Sequence, residues 1–307
     1  MNDKQSCAGF SLTSSRLQFI EIEKEKDNLL ITNYGQTFFS PQLDFKLNDE
    51  NVILDQFQSA YDEIKIRNSI TNNKASFALP PELFLTIQLP YDSNLNQDEI
   101  REEFKWELSQ LFPFISIDDF ALKFYELDNT FLPGKNNALI VALDKKYLFM
   151  IKRFCEKNQL YPRVVDNSSM AANSFINLIM MLKKSNDNIN IFCSKKSVTL
   201  FVNISSKPAY VKVFSREAEN FSNKIISELS SEIFQKFIKG KSFQSFITGE
   251  DLESEIVGKL ARVTGNNFNE FNPFETLTLT DDFQKKLSSE VEKVSFTSAV
   301  GIASRFN

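Results

Sequence analysis

Histidine is absent from the 307-residue chain, and its three cysteines, Cys7, Cys155 and Cys193, stand far apart with no CxxC spacing. Without histidine there is no Ser-His-Asp or Cys-His nucleophile system and no imidazole general base, and the scattered thiols offer no zinc site of recognisable spacing. No catalytic residue and no metal site emerge. Basic charge is not in excess either, since 35 Lys and Arg stand against 40 Asp and Glu, a net charge of −5. Phosphate contacts need a basic face, and no local patch supplies one, so nucleic acid is not an expected partner. Long apolar runs are missing too. The longest, Phe175 to Leu182, is interrupted by Asn177 and too short to span a bilayer, and Met1 to Gln5 leads into polar residues rather than a signal core. These absences lead to the expectation of a soluble, cytoplasmic protein. Glycine is also scarce, with eight in the whole chain.

What is present is ordinary globular material, 42% apolar and 24% charged and rich in phenylalanine, long enough to bury a substantial core. Gly9–Ile22 reads as a strand, a tight turn rich in hydroxyls and a second strand, and the charged turn 23–28 then joins it as a hairpin to Leu29–Ile31. Ile53, Phe57, Tyr61 and Ile64 recur at helical spacing, and Ser76–Leu79 is a strand stopped by Pro80-Pro81. A second unit follows: a strand over Leu83–Leu89, a helix from Asn96 with Glu99 placed for a capping box, strands over 121–127 and 138–143, and a helix over 145–157. A helix over Met170–Leu182 opens the third unit. It continues with strands over 189–194, 198–204 and 210–214, one long helix over Glu217–Ile238, a strand over Phe243–Ile247 and a helix over Glu250–Ala261.

Three strands, a helix, a strand and a helix therefore occur twice, with an insertion in the first copy. That order resembles the actin-like ATPase fold, a mixed α/β architecture of two related lobes. The expected units are residues 1–80, an inserted α/β lobe over 81–166, and 167–307, with a C-terminal helix returning to the first lobe.

Local motifs sharpen the resemblance. Leu83-Phe-Leu-Thr-Ile-Gln-Leu-Pro90, the helix carrying Trp106-Glu107 and ending Pro113-Phe114, Ala138–Leu143, Tyr161-Pro162, Val165-Asp166 followed by Ala171, Asn272-Pro-Phe274 and Ala299-Val-Gly-Ile-Ala-Ser-Arg305 resemble, in order, segments of the PilM family of type IV pilus assembly. The family's first nucleotide loop reads Asp-Ile-Gly-Ser-Ser. Here Ser11 stands at the aspartate, Thr13 at the glycine, Ser14 and Ser15 at the hydroxyls, and Gln18 where lysine is usual. The second loop falls in Ile189–Leu200, with Ser194 and Thr199 but neither aspartate nor glycine at the turn. The third, a Gly-Gly pair, becomes Gly249-Glu250. After Phe214 the family's nucleotide-covering lobe is replaced by the long helix.

The resemblance thus implies an actin-like scaffold under the inner membrane, peripheral to it through partners only, that binds the N-terminal tail of a PilN-like single-span protein in a groove between the first and inserted lobes and couples it to a cytoplasmic motor ATPase. No cofactor is expected. The alternatives are a working ATPase in which Asp166 or Glu250 takes over magnesium, with ATP and magnesium bound, and a cell-division scaffold resembling FtsA. The chain's end, without an amphipathic helix, argues against FtsA, and the lack of a membrane span argues against a GspL-like protein. Two plainer readings stand beside these. Thr13-Ser-Ser15 can simply satisfy a turn, and Glu250 and Asp251 can cap the first turn of a helix. Glu102, Glu103 and Glu107 read as a solvated face. Trp106 points away from the stripe Ile100, Phe104, Leu108 and Leu111, so it packs either on a neighbouring lobe or on a partner, and is the candidate partner-binding residue.

Overall fold

In a computed structural model, residues 5–25, 28–131, 136–185, 187–216, 221–250, 252, 254–280 and 292–306 are described. Two sheets repeat one topology. In the first, β1 (Gln5–Leu12), β2 (Arg16–Glu25) and β3 (Asn28–Phe38) form an antiparallel meander. Then β4 (Lys74–Leu79) adds parallel to β1, and β8 (Tyr161–Asn167) parallel to β4. In the second, β9 (Asn188–Cys193), β10 (Ser197–Ile204) and β11 (Lys207–Ser215) form the meander, and β12 (Gln244–Gly249) and β13 (Phe268–Glu270) add in parallel. The strand orders β3-β2-β1-β4-β8 and β11-β10-β9-β12-β13 correspond position by position, and β14 (Thr278–Leu279) extends the first sheet beyond β3. The third sheet, β5-β7-β6, is antiparallel and belongs to the insertion, with β5 (Phe84–Pro90), β6 (Phe120–Glu126) and β7 (Asn137–Asp144).

The helices follow their local signals. In α1 (Glu50–Arg67), Asp49 caps the first turn, and Ile53, Phe57, Ala60, Tyr61 and Ile64 form the buried face. The Phe57 ring stacks at 3.8 Å on Phe154 of α3 (Lys145–Asn158), over Phe77 and Phe10 of the first sheet. The Asn96–Glu99 capping box opens α2 (Gln97–Leu111), which lays Ile100, Phe104 and Leu108 on the third sheet. Leu111, grouped with that stripe on sequence, is exposed instead, because the helix ends there and the sheet no longer covers it.

Two helices join the lobes. In α4 (Ser168–Leu182) eleven of fifteen residues are buried, as a helix between two lobes requires. One flank packs Phe175, Ile176, Ile179 and Met180 against β2 and β3. The other is fixed to the second sheet by amides: Asn173 and Asn203 exchange bonds of 3.0 and 3.1 Å, and Asn177, Asn188 and Asn190 complete a buried set. Buried polar groups tolerate no slack, so the set fixes the angle of α4. The last helix, α8 (Thr297–Ala303), is buried at every residue against β1, β2, β4 and α4. Small residues permit the approach, since a Cβ on Gly9 would lie 2.5 Å from Ala299 O and one on Gly301 2.2 Å from Ala171 O.

Several expectations are corrected. The insertion does not extend to 166, because α3 packs on α1 and β8 pairs with β4, so the chain is back in the first lobe after β7. The long helix over 217–238 is two helices, α5 (Phe221–Leu229) and α6 (Glu232–Ile238). Ser231 takes an extended conformation and its hydroxyl accepts the Phe234 N–H, starting a new helix where propensity alone continued the old one. Residues 217–220 lie outside the described residues, and among those described only these two helices stand between β11 and β12. The helix placed over 250–261 is α7 (Ser254–Thr264), which leaves Glu250 at the end of β12.

Candidate functional site

The β1–β2 turn, the β9–β10 turn and the end of β12 meet at one cleft between the lobes, lined by Ser15, Arg16, Gln42, Lys195, Glu250 and Glu292, with Thr13, Ser14, Ser194 and Gly249 in the turns and strand end beside it. Thr13 Oγ1 accepts the N–H groups of Ser15 and Arg16, both at 3.2 Å, and the Thr13 N–H donates to Arg16 O at 3.0 Å, so this hydroxyl serves its own turn. Ser14 Oγ is buried without a partner. Ser194 shares a 2.9 Å bond with Ser197 and donates to Glu82 at 3.4 Å. Gly249, at φ +111°, lies so close to Cys193 that a Cβ would fall 2.0 Å from its carbonyl oxygen. Ser11 and Thr199 are buried in their strands, and Gln18 donates to Ser295 Oγ at 2.7 Å.

Glu250 is the centre of this cleft rather than a helix cap. Its carboxylate accepts from Ser15 Oγ at 3.0 Å and from the Arg16 guanidinium at 3.3 Å, while Arg16 also reaches Glu292 at 2.7 Å. The Arg16 and Glu250 side chains are each only 7% exposed. Around them, Lys196 pairs with Asp44 at 3.0 Å, Lys195 bonds to Gln42, and Glu82 is pushed up by burial, with Glu250 adding to the rise. Protein side chains of both lobes therefore bond directly across the cleft. Asp166 takes no part there: it is bonded to Arg305.

A second opening lies between the first lobe and the insertion. A cavity of about 710 Å³ is bounded by β6 through Lys123 and Tyr125, by α4 through Ser174, Leu178, Met181 and Leu182, and by Val164, Leu29 and Phe306. An adjoining cavity of about 310 Å³ shares Tyr125, Ser174, Leu178 and Met181 and continues towards Pro208, so the two form one groove. Met181 and Leu182 are 53% and 60% exposed although both are apolar. The strand β6 pairs with β7 alone among the described residues and leaves an edge.

The profile of the type IV pilus assembly protein PilM family matches residues 9–228, well over half of the chain. The chain belongs to the PilM family. A PilM–PilN type IV pilus biogenesis complex superposes with a TM-score of 0.65 at 15% identity, covering 97% of each chain. A Bacteroides thetaiotaomicron protein of actin-like ATPase fold gives 0.52 at 11% identity, covering 91% of this chain and 92% of that one. Both likenesses establish the actin-like fold. A search of curated proteins finds no match. This is thus a type IV pilus assembly protein of actin-like fold.

Within this PilM-family chain, Trp106 belongs to neither opening. It is 64% exposed on the outer side of α2, which rules out packing on a neighbouring lobe, and it does not line the groove. Glu102 is solvated as expected, but one carboxylate oxygen each of Glu103 and Glu107 is buried without a partner, and desolvation first and Glu103 second push Glu107 up. Sequence reasoning missed Arg16, Glu82 and Glu292, since a charged residue at a strand start or in a loop reads as solvated. The only signal for Arg16 was a cation directly after three hydroxyl residues.

Proposed function

We propose that this chain is a scaffold of pilus assembly that acts at the cytoplasmic side of the inner membrane and holds the N-terminal tail of a PilN-like single-span protein in the groove between first lobe and insertion. The groove carries the proposal. It is walled largely by apolar side chains, and one wall comes from β6, whose outer edge has no partner strand among the described residues, a combination suited to an extended peptide that adds to the sheet with pockets for alternate side chains. The PilM–PilN complex among its structural likenesses supports the same class of partner. No described helix is long and apolar enough to cross a membrane, so attachment through a partner is consistent with the chain.

In this reading the scaffold works without hydrolysing ATP. The cleft residues fit magnesium and triphosphate poorly: serine stands where the family has the metal-orienting aspartate, threonine where it has the glycine, and the loop hydroxyls of Ser194 and Ser15 are bonded to the carboxylates of Glu82 and Glu250. Of the cations around the cleft, Arg16 is engaged by two carboxylates and Lys196 by Asp44, while Lys195 bonds to Gln42. Coupling to a cytoplasmic motor belongs to the same proposal.

The test is a calorimetric titration with the N-terminal tail peptide of the single-span protein encoded beside this chain. Saturable binding is expected, weakened by roughly tenfold or more in Met181→Glu, which places a charge on the groove wall, and unchanged in Trp106→Ala. Absence of binding to the wild-type protein defeats the proposal.

A further inference from the structure

The groove has a charge that apolar binding leaves unexplained. Its described lining contains three cations, Lys24, Lys123 and Arg305, and no carboxylate, in a chain whose net charge is −5. Arg305 is neutralised by Asp166 and also donates to Ser174 Oγ at 3.2 Å. The two lysines differ from it. Lys24, near the end of β2, holds its ammonium 6.0 Å from the centre of the Phe306 ring, and Lys123, on β6, holds its ammonium 4.8 Å from that of Tyr125. Both rings line the groove. An aromatic face attracts a cation without cancelling its charge. The two ammonium groups therefore stand on opposite walls, one from each lobe, over apolar surface and without a described carboxylate.

We infer that the occupant of this groove is an extended apolar tail carrying an acidic side chain, and that Lys24 and Lys123 read that carboxylate. The inference rests on the tail-binding function proposed above and adds its specificity. Register makes it definite. Lys123 and Tyr125 share one face of β6, and a strand added to that edge puts its own side chains opposite them at alternate positions. The acid opposite Lys123 is then separated by one residue from an apolar side chain opposite Tyr125, so the tail contains the pattern acid-x-apolar in one direction or the other. The neighbouring aliphatic wall of Leu178, Met181 and Leu182 takes the apolar residues, and water exclusion beside it strengthens the charge pairing.

The experiment uses the whole chain, the tail peptide, and the same peptide with its acidic residue changed to the amide. Lys24→Gln and Lys123→Gln remove charge from side chains with room in solvent, and melting curves check that the fold is kept. At low salt the double variant is expected to bind the peptide roughly three- to tenfold more weakly, the amide peptide to lose the same factor on the wild-type protein, and the double variant to be indifferent to the amide change. Raising the salt should erase most of the difference. Equal affinity of the wild-type protein and the double variant for the acidic peptide overturns the inference while leaving tail binding intact. A tail that binds but holds no carboxylate does the same, as does lysine-dependent binding to vesicles of anionic phospholipid with a peptide affinity that ignores the lysines. If no tail binds the wild-type protein, the functional proposal and the inference fall together.

Discussion

A guanidinium buried between two lobes is tolerated only when carboxylates meet it, and Arg16 meets two. The balance of such a pair is asymmetric. Removing one partner leaves a charge stranded in a poor solvent, whereas removing both restores an apolar contact. Arg16→Met should therefore cost about 3–5 kcal/mol in urea unfolding, and Arg16→Met combined with Glu250→Leu should recover most of the loss. Additive costs in the double variant would show that the pair does not hold the lobes. Glu292, 44% exposed, is the weaker partner because water competes for it. Residue by residue, Ser15 and Glu250 meet in the cleft while Ser11 and Thr199 stay buried in their strands and Gln18 turns to Ser295, and the late start of α7 excludes the reading of Glu250 as its cap.

At the scale of elements, the seam between α4 and α8 sets the groove wall. Gly301 sits in the middle of α8, where alanine would raise helix propensity by about 1 kcal/mol. The added Cβ, however, would lie 2.2 Å from the Ala171 carbonyl oxygen, and backbone cannot swing aside. Overpacking of that kind costs about 1–3 kcal/mol, so Gly301→Ala is expected to lower the melting temperature despite its better propensity, and a rise would mean that α8 can lift from α4. The element boundaries that sequence reading missed have one cause each. Ser231 ends a helix by capping the next, and β8 leaves the insertion because its partner strand lies almost ninety residues earlier in the chain.

For the whole molecule, the question is whether a ligand joins the lobes or the chain does so itself. Side chains already cross the cleft through Arg16–Glu250, Lys196–Asp44 and Ser194–Glu82, and α4 and α8 join the lobes behind it. A ligand that binds only the native state at a hundred times its dissociation constant adds about 2.7 kcal/mol, a shift of several degrees for a chain of this size. Millimolar ATP with magnesium is expected to leave the melting temperature unchanged. A clear rise would show that the internal pairs yield to nucleotide.

The sequence by itself determined the duplicated strand and helix order and the presence of an insertion, because periodicity, caps and turns are local and each is written within a few residues, while the family was legible only through the resemblance of its short motifs. It also located Asn96, Glu99 and the buried face of α1. Only the tertiary structure decided that Arg16 meets Glu250, that Asp166 pairs with Arg305 instead of facing the cleft, and that Lys24 and Lys123 share one groove. These partners are separated by about a hundred residues or more, and which charges become buried neighbours depends on how two sheets and two connecting helices pack, a property that no local pattern encodes.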